Sequence, residues 1–318
     1  MDGSFIISLD FELHWGGAEK WDLIQKKDYF LNTRKVVLEL LKLFDEYNIR
    51  VTWATVGFLF SPSLEELKSF FPSQQPMYEN QELNYYKLFE GKQVGVNETD
   101  DPFHFANSLL NEIIKIKGQE LASHTFCHYY CNEDGQTKEQ FDLDLKATQD
   151  ISVHLFNKKL KSLVFPRNQF NETYLSVIKE NGYSVIRTNP KVWFWKSKNK
   201  LIFLARALDT LFSISKRLSF SDKEIISENG LVKLPASRFL RPYTEKEKVI
   251  QNIKIKRIKS EMYNAAINKE HYHLWWHPHN FGSFPKENLA QLKEILGYHR
   301  SLNQKYTFPS KNMGDFKK

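Results

Sequence analysis

Residues 120–128 read Glu120-Leu-Ala-Ser-His124-Thr-Phe-Cys-His128, a short strand-like segment that runs directly into two histidines four apart. Two imidazoles at that spacing can present two nitrogens to one divalent cation, and a carboxylate from elsewhere can complete a three-ligand site with a position left for water. Gly118 precedes the strand, and the polar run Asn132-Glu-Asp-Gly135 follows the histidines. The pair therefore stands at a strand end, and the carboxylate has to come from another part of the fold.

Outward from this segment, strand-like runs alternate with helical patterns. Phe5–Leu9 is a compact apolar run, residues 28–47 carry Val37, Leu40, Leu41 and Phe44 at helical spacing, and Arg50–Val56 reads as a second strand. Ser63-Leu-Glu-Glu66 has the capping-box pattern and opens another helix, after which residues 72–105 are polar, aromatic and irregular, an insertion over one face. A helix over 109–117, the strand 120–124, a long helix over 137–158 and a fourth strand at Leu163–Phe165 follow. A helix over 173–181, closed by Gly182, leads to a fifth strand at Tyr183–Arg187. Beyond a second irregular region at 189–229 come the strand Leu231–Leu234, a helix over 245–268, the strand Tyr272–Trp276 and a last helix from Lys286, with a basic tail from residue 303. The expectation is one domain over residues 1–318 with seven strands.

Such alternation points to a parallel sheet with helices outside, open or closed into a barrel. Either arrangement collects reactive groups at the carboxyl ends of the strands. Asp10 and Glu12 follow the first strand, His124 and His128 the third, Pro166-Arg167-Asn168 the fourth, and His277-Pro278-His279 the seventh. Polar groups able to bind metal or move protons thus recur at one end.

The chain has 318 residues, 41% of them hydrophobic and 14% aromatic, enough for a large core. Its net charge of +7 comes from lysines spread over amphipathic helices, with denser runs between Lys246 and Lys259 and after Lys305. No basic-aromatic recognition motif accompanies that charge, so a nucleic-acid partner is not expected, whereas a peripheral membrane contact is compatible with it. The two cysteines, Cys127 and Cys131, exclude a disulfide framework. A first strand beginning near Ser4 and the lack of any run of 18 apolar residues suggest the cytoplasm.

The motifs resemble those of the NodB-homology polysaccharide deacetylases, carbohydrate esterase family 4. That family carries two acidic residues after its first strand, then His-Ser/Thr-x-x-His, a motif with Arg and Pro, and Leu-x-x-His. The counterparts are Asp10-Phe-Glu12, His124-Thr-Phe-Cys-His128, Phe165-Pro-Arg-Asn168 and Leu274-Trp-Trp-His277, in the same order. The resemblance implies a distorted (β/α) barrel of about seven strands, a bound divalent metal and hydrolysis of an N- or O-acyl group on a sugar. By position Asp10 resembles the catalytic base, Glu12 with His124 and His128 the metal triad, and His277 the general acid, while Arg167 would hold Asp10 ionised. Two departures stand out: Asp-x-Glu replaces the usual Asp-Asp pair, and Pro166 precedes Arg167 where the common order is the reverse.

The chemistry is coherent in its own terms. Attack of water on a carbonyl needs a polarised carbonyl, an activated water and a proton for the departing amine or alkoxide. Nitrogen and carboxylate ligands suit Zn²⁺ first, and also Co²⁺, Ni²⁺ or Mn²⁺. Asn168, Trp193, Trp195 and Arg241 are candidate substrate contacts, and Arg238 could also meet an anionic group. His279 competes with His277 for the acid role, and the interleaved His124, Cys127, His128 and Cys131 could instead hold a structural zinc. The preferred substrate is a lipid- or nucleotide-linked amino sugar in surface-polysaccharide or glycolipid assembly. Two rivals are an inert carbohydrate-binding barrel and an amidohydrolase of a small nitrogen metabolite.

Overall fold

Along the first strand Phe5, Ile7, Leu9 and Phe11 alternate with Ile6, Ser8 and Asp10, and this period of two sorts the molecule into an outside and an inside. The structure is a computed structural model that describes residues 2–190 and 218–317. The first set packs with Val36, Val37, Leu40, Leu41 and Phe44 of helix α1 (Leu23–Glu46) in the main core, whereas Ile6 joins a separate inner cluster with Ala54, Val164, Val185, Val232, Leu234 and Met313. Ser8 and Asp10 lie above that inner apolar floor on the same face of the strand.

All seven expected strands are present: β1 (Phe5–Phe11), β2 (Val51–Thr55), β3 (Gln119–Ser123), β4 (Ser162–Val164), β5 (Val185–Thr188), and the segments Leu231–Pro235 and Tyr272–Trp276. Three short strands join them, so that in chain order β6 is Ile226–Glu228, β7 Leu231–Pro235, β8 Arg238–Phe239, β9 Tyr272–Trp276 and β10 Ser310–Lys311. The sheet runs β6-β7-β5-β4-β3-β2-β1-β9-β8, parallel throughout except for the β6–β7 hairpin. β7 pairs with β5, and only two residues later β8 pairs with β9, so one stretch of chain passes from one margin of the sheet to the other. That path is the distorted α/β barrel anticipated from the alternation of elements.

The helices follow their sequence signals. Ser63 accepts from the Glu66 backbone N–H at 3.3 Å to open α2 (Leu64–Ser69), and α5 (Lys138–Phe156) starts on a capping box of Thr137 and Gln140. Between α2 and α5 lie α3 (Tyr86–Glu90) and α4 (Asn107–Lys115); later come α6 (Leu175–Glu180), α7 (Gln251–Ile267) and α8 (Pro285–Tyr306).

Two segments read as irregular take definite places. The basic tail expected from about residue 303 is docked on the sheet: α8 runs to Tyr306, β10 pairs in parallel with β1, and Met313 is buried in the inner cluster. The Met313 N–H donates to Thr52 Oγ1 at 2.7 Å and the Gly314 N–H to Glu120 Oε2 at 2.9 Å, while Arg50 grips Asp315 at 2.7 and 2.8 Å. Buried Phe308 and Met313 outweigh the flanking lysines, and the segment covers the amino-terminal end of the barrel. The insertion at 72–105 likewise does more than lie over a face. It buries Tyr78, Tyr85, Tyr86 and His104. Of the second irregular region, residues 191–217 lie outside the described residues, and so do Trp193 and Trp195.

Candidate active site and metal centre

The backbone after β3 turns through the left-handed region at Thr125 (φ 63°) and again at His128 (φ 61°), each at a cost of about 1–3 kcal/mol for a residue with a side chain. Hydrogen bonds from three directions offset that cost. The His124 N–H donates to the Thr55 carbonyl at 2.9 Å, continuing the sheet, and the Thr125 N–H donates to Ser123 Oγ at 3.0 Å. Asp144, reaching up from α5, accepts from the Phe126 and Cys127 N–H groups at 2.7 and 3.0 Å. The Tyr129 N–H goes to Thr125 Oγ1 at 2.6 Å and the Tyr130 N–H to Tyr78 Oη at 2.8 Å. So fastened, the loop aims both imidazoles inward.

They meet Glu12. His124 Nε2 lies 2.9 Å and His128 Nε2 3.2 Å from Glu12 Oε1, and all three side chains are buried. A Cβ on Gly16 would stand 2.0 Å from Glu12 Oε2, so a side chain there would push the Glu12 carboxylate out of this position. His124 Nδ1 donates to the Val164 carbonyl at 2.9 Å, which in the neutral ring leaves Nε2 a bare lone pair facing a carboxylate oxygen. A shared proton or a cation relieves lone pairs that converge at such distances, and one carboxylate with two imidazole nitrogens is a donor set for a divalent metal. The residues present therefore fit the metal that the motifs imply.

A second group, Asp10 with Glu12 and His277, also brings ligand atoms together. It suits a cation less well. Both Asp10 oxygens accept from Arg187, at 2.6 and 2.7 Å, so a dication there would face a buried guanidinium.

Arg187 corrects the expectation for Arg167. The guanidinium that holds Asp10 comes from β5, whereas Arg167 pairs with Glu19 and lies over the Tyr130 ring at 4.4 Å. Burial alone would raise the Asp10 carboxyl, but Arg187, with His124 and His277, outweighs it and holds the group below its usual range. Arg187 is braced in turn by Ser8 Oγ at 3.0 Å, Asn168 Oδ1 at 3.0 Å and the Trp275 ring at 4.5 Å. Behind Ser8 stands His273, whose Nδ1 donates to the Pro235 carbonyl at 3.0 Å and whose Nε2 accepts the Ser8 hydroxyl at 2.8 Å. Burial, then the Arg187 charge, push the His273 ring down to about 3, so it stays neutral.

Glu12 is held well below the ordinary carboxylate range, since His277, His124 and His128 together outweigh its burial. Burial moves the His128 ring down to about 4, against the pull of Glu12. His277 Nε2 sits 3.6 Å from Asp10 Oδ2 and 3.7 Å from Glu12 Oε1, with 24% of its side chain exposed, so it is more open than Asp10, Glu12, His124, His128 or His279. His279 is buried behind it, stacked on its ring at 5.0 Å, with Nδ1 3.9 Å from Glu12 Oε2. Burial and the His277 charge depress the His279 ring to about 3.

The remaining candidates lie elsewhere or do other work. Asn168 is engaged with Arg187, Arg238 with Glu261 at 2.6 and 2.7 Å, and Arg241 with Glu247 at 2.9 Å. Cys127 and Cys131 are buried free thiols that join neither ligand group among the described residues, so the interleaved Cys/His zinc site does not form. Arg187 itself had a signal in the sequence: it ends the fifth predicted strand, two residues from inward-facing Val185, where the period of two turns it toward the site.

No curated protein sequence matches this chain. Among solved structures, one from Mycobacterium smegmatis described as a polysaccharide deacetylase superposes with a TM-score of 0.62 at 13% identity, covering 99% of this chain and 88% of that one. A 4-alpha-glucanotransferase from Thermococcus litoralis gives 0.53 at 11% identity over 95% of this chain and 38% of that one. A GH57-type branching enzyme from Pyrococcus horikoshii gives 0.52 at 12% identity over 99% and 70%. At such identities these likenesses establish the fold. Residues 28–186, half of the chain, match the polysaccharide deacetylase family in sequence, a span that takes in both histidines of the loop and Arg167, and on this ground the chain belongs to that family.

Proposed function

We propose that this chain is a metal-dependent hydrolase that removes an acyl group, acetyl foremost, from the nitrogen of an amino sugar. The observation that carries the reading is the convergence of His124 Nε2 and His128 Nε2 on Glu12 Oε1. Zinc is the first choice of metal, with Co²⁺, Ni²⁺ or Mn²⁺ as substitutes; when bound, the ion polarises the acyl carbonyl and makes water more acidic. Asp10, kept anionic and oriented by Arg187, accepts the proton of the attacking water. His277, beside it with about a quarter of its side chain open to solvent, gives a proton to the departing amine. Glu12, His124 and His128 would hold the ion, and Arg187 keeps Asp10 in its place beside them.

The substrate we favour is a lipid- or nucleotide-linked amino sugar, in keeping with two reduced, buried thiols and the positive net charge, which suits an anionic carrier. No helix among the described residues is long and apolar enough to cross a membrane, and we place the reaction in the cytoplasm, with any membrane contact peripheral.

Metal analysis of the purified protein, combined with assays of released acetate or formate on N-acyl amino sugars, tests the proposal. The wild type should carry one ion and hydrolyse, His124→Ala should lose the ion, and Asp10→Asn should keep it while losing turnover. An ion retained in full by His124→Ala would sink the ligand assignment. Stoichiometric metal with no hydrolysis across a broad panel would instead leave a carbohydrate-binding barrel.

A further inference from the structure

The two histidines of the loop are oriented by different devices. His124 Nδ1 faces a backbone carbonyl, an acceptor that side-chain substitution leaves in place. His128 Nδ1 faces the Tyr130 hydroxyl at 2.9 Å, which lies 2.8 Å from the Tyr85 hydroxyl, which in turn donates to Glu19 Oε2 at 2.5 Å. Tyr85 and Tyr130 are buried, and the Tyr85 ring stacks on His128 at 6.2 Å and 18°. Arg167 closes the far end through its ion pair with Glu19 and its place over the Tyr130 ring.

Donor accounting gives this chain of bonds a single direction. An ionised carboxylate only accepts, so Tyr85 must spend its one proton on Glu19. Tyr85 then accepts from Tyr130, and Tyr130, its proton spent, accepts from His128 Nδ1–H. The reverse polarity would set Tyr85 and Glu19 lone pair against lone pair at 2.5 Å. His128 Nε2 is consequently the bare nitrogen, the one aimed at Glu12 Oε1. Arg167, beside Glu19, keeps that carboxylate ionised.

We propose that Glu19 is a positioning residue for the metal centre, which through Tyr85 and Tyr130 selects the tautomer of His128 that can bind a cation. This rests on the reading of Glu12, His124 and His128 as the metal ligands. It also gives Arg167 a role: it anchors the outer end of the relay instead of holding Asp10. The 72–105 insertion, which supplies Tyr85, then contributes to metal affinity without touching the ion, as outer partners of metal-bound histidines do.

The test uses the full chain and the variants Glu19→Gln and Tyr85→Phe, the second of which keeps the ring and its packing. Imidazole ¹⁵N–¹H NMR of the metal-free protein reads the tautomer of each histidine, and competition with a chelator at fixed pH reads Zn²⁺ affinity. Both variants should turn His128 from a single Nδ1–H tautomer into a mixture, leave His124 as it is, and weaken Zn²⁺ binding by about 10–100-fold. An unchanged His128 tautomer with unchanged affinity in both variants would overturn the relay. If the wild type binds no Zn²⁺, the ligand reading fails, and the NMR arm still decides whether Glu19 controls His128.

Discussion

Asp10 and Asp144 are the same residue type, each 1% exposed, on opposite sides of the strand ends that make the site, yet their carboxyls move in opposite directions. Burial pushes Asp144 up to about 6, because its partners are the neutral N–H groups of Phe126 and Cys127 and the Cys127 thiol. Burial acts on Asp10 too, but the Arg187 guanidinium, joined by His124 and His277, carries it below the usual value. Neutral donors can seat a buried carboxylate without making its charge welcome, whereas a buried cation does both. The site uses each kind where it fits: Asp144 holds a strained loop in shape, and Asp10 must stay charged among the reacting groups.

Removing the cation is the strongest way to break this contrast. Arg187→Met leaves Asp10 buried without its counter-charge and should cost about 3–5 kcal/mol of stability in urea denaturation at pH 7. The Asp10→Asn/Arg187→Met double variant should recover much of that loss, because no stranded charge remains. Stability equal to wild type in Arg187→Met would show that the pair does not hold Asp10. The pH dependence has a definite sign: a carboxyl lowered from 3.8 on folding stabilises above that value and loses its contribution as pH falls through the folded pKa.

Asp144 predicts the opposite wing and a smaller effect. Its folded pKa of about 6 lies above the ordinary 3.8, so its contribution is full below about 3.8 and lost as pH rises through 6, a loss on the order of 2–3 kcal/mol. In Asp144→Asn, chemical denaturation between pH 4 and pH 7 should show that part of the decline removed. A wild-type slope retained unchanged in the variant would mean that Asp144 is already ionised without penalty.

Much of this was legible in the sequence, and the exceptions share a cause. All seven main strands, the carboxylate-histidine cluster and the side of the sheet that carries it follow from period-two apolar runs and polar residues at strand ends. The period of two turns Arg187 toward the site, but which carboxylate Arg187 and Arg167 each hold was not legible, because an arginine reaches far from its Cα and its partner depends on neighbouring strands and loops. Asp144 shares the buried helix face of Phe141, Leu145, Thr148 and Ile151, but its spacing gave no sign that its carboxylate seats the loop eighteen residues earlier. The final segment misled because its lysines outnumber the two buried apolar residues, Phe308 and Met313, that decide its place. Local pattern therefore specified the elements, and long side chains reaching between elements specified the chemistry.

The same arginine–carboxylate chemistry placed in solvent gives the mildest test of the contrast. Arg241 and Glu247 pair as Arg187 and Asp10 do, but 35% and 17% of their side chains are exposed, so water already solvates both ions. Arg241→Ala should therefore cost less than about 1 kcal/mol in the denaturation experiment that exposes Arg187→Met, with zinc affinity unchanged. If Arg241 also contacts an anionic carrier, the variant will raise KM for carrier-linked substrate while leaving the free amino sugar unaffected. A stability loss as large as that of Arg187→Met would mean that pairing, and not burial of the pair, determines what these ions contribute, and the explanation given for Asp10 and Asp144 would fail with it.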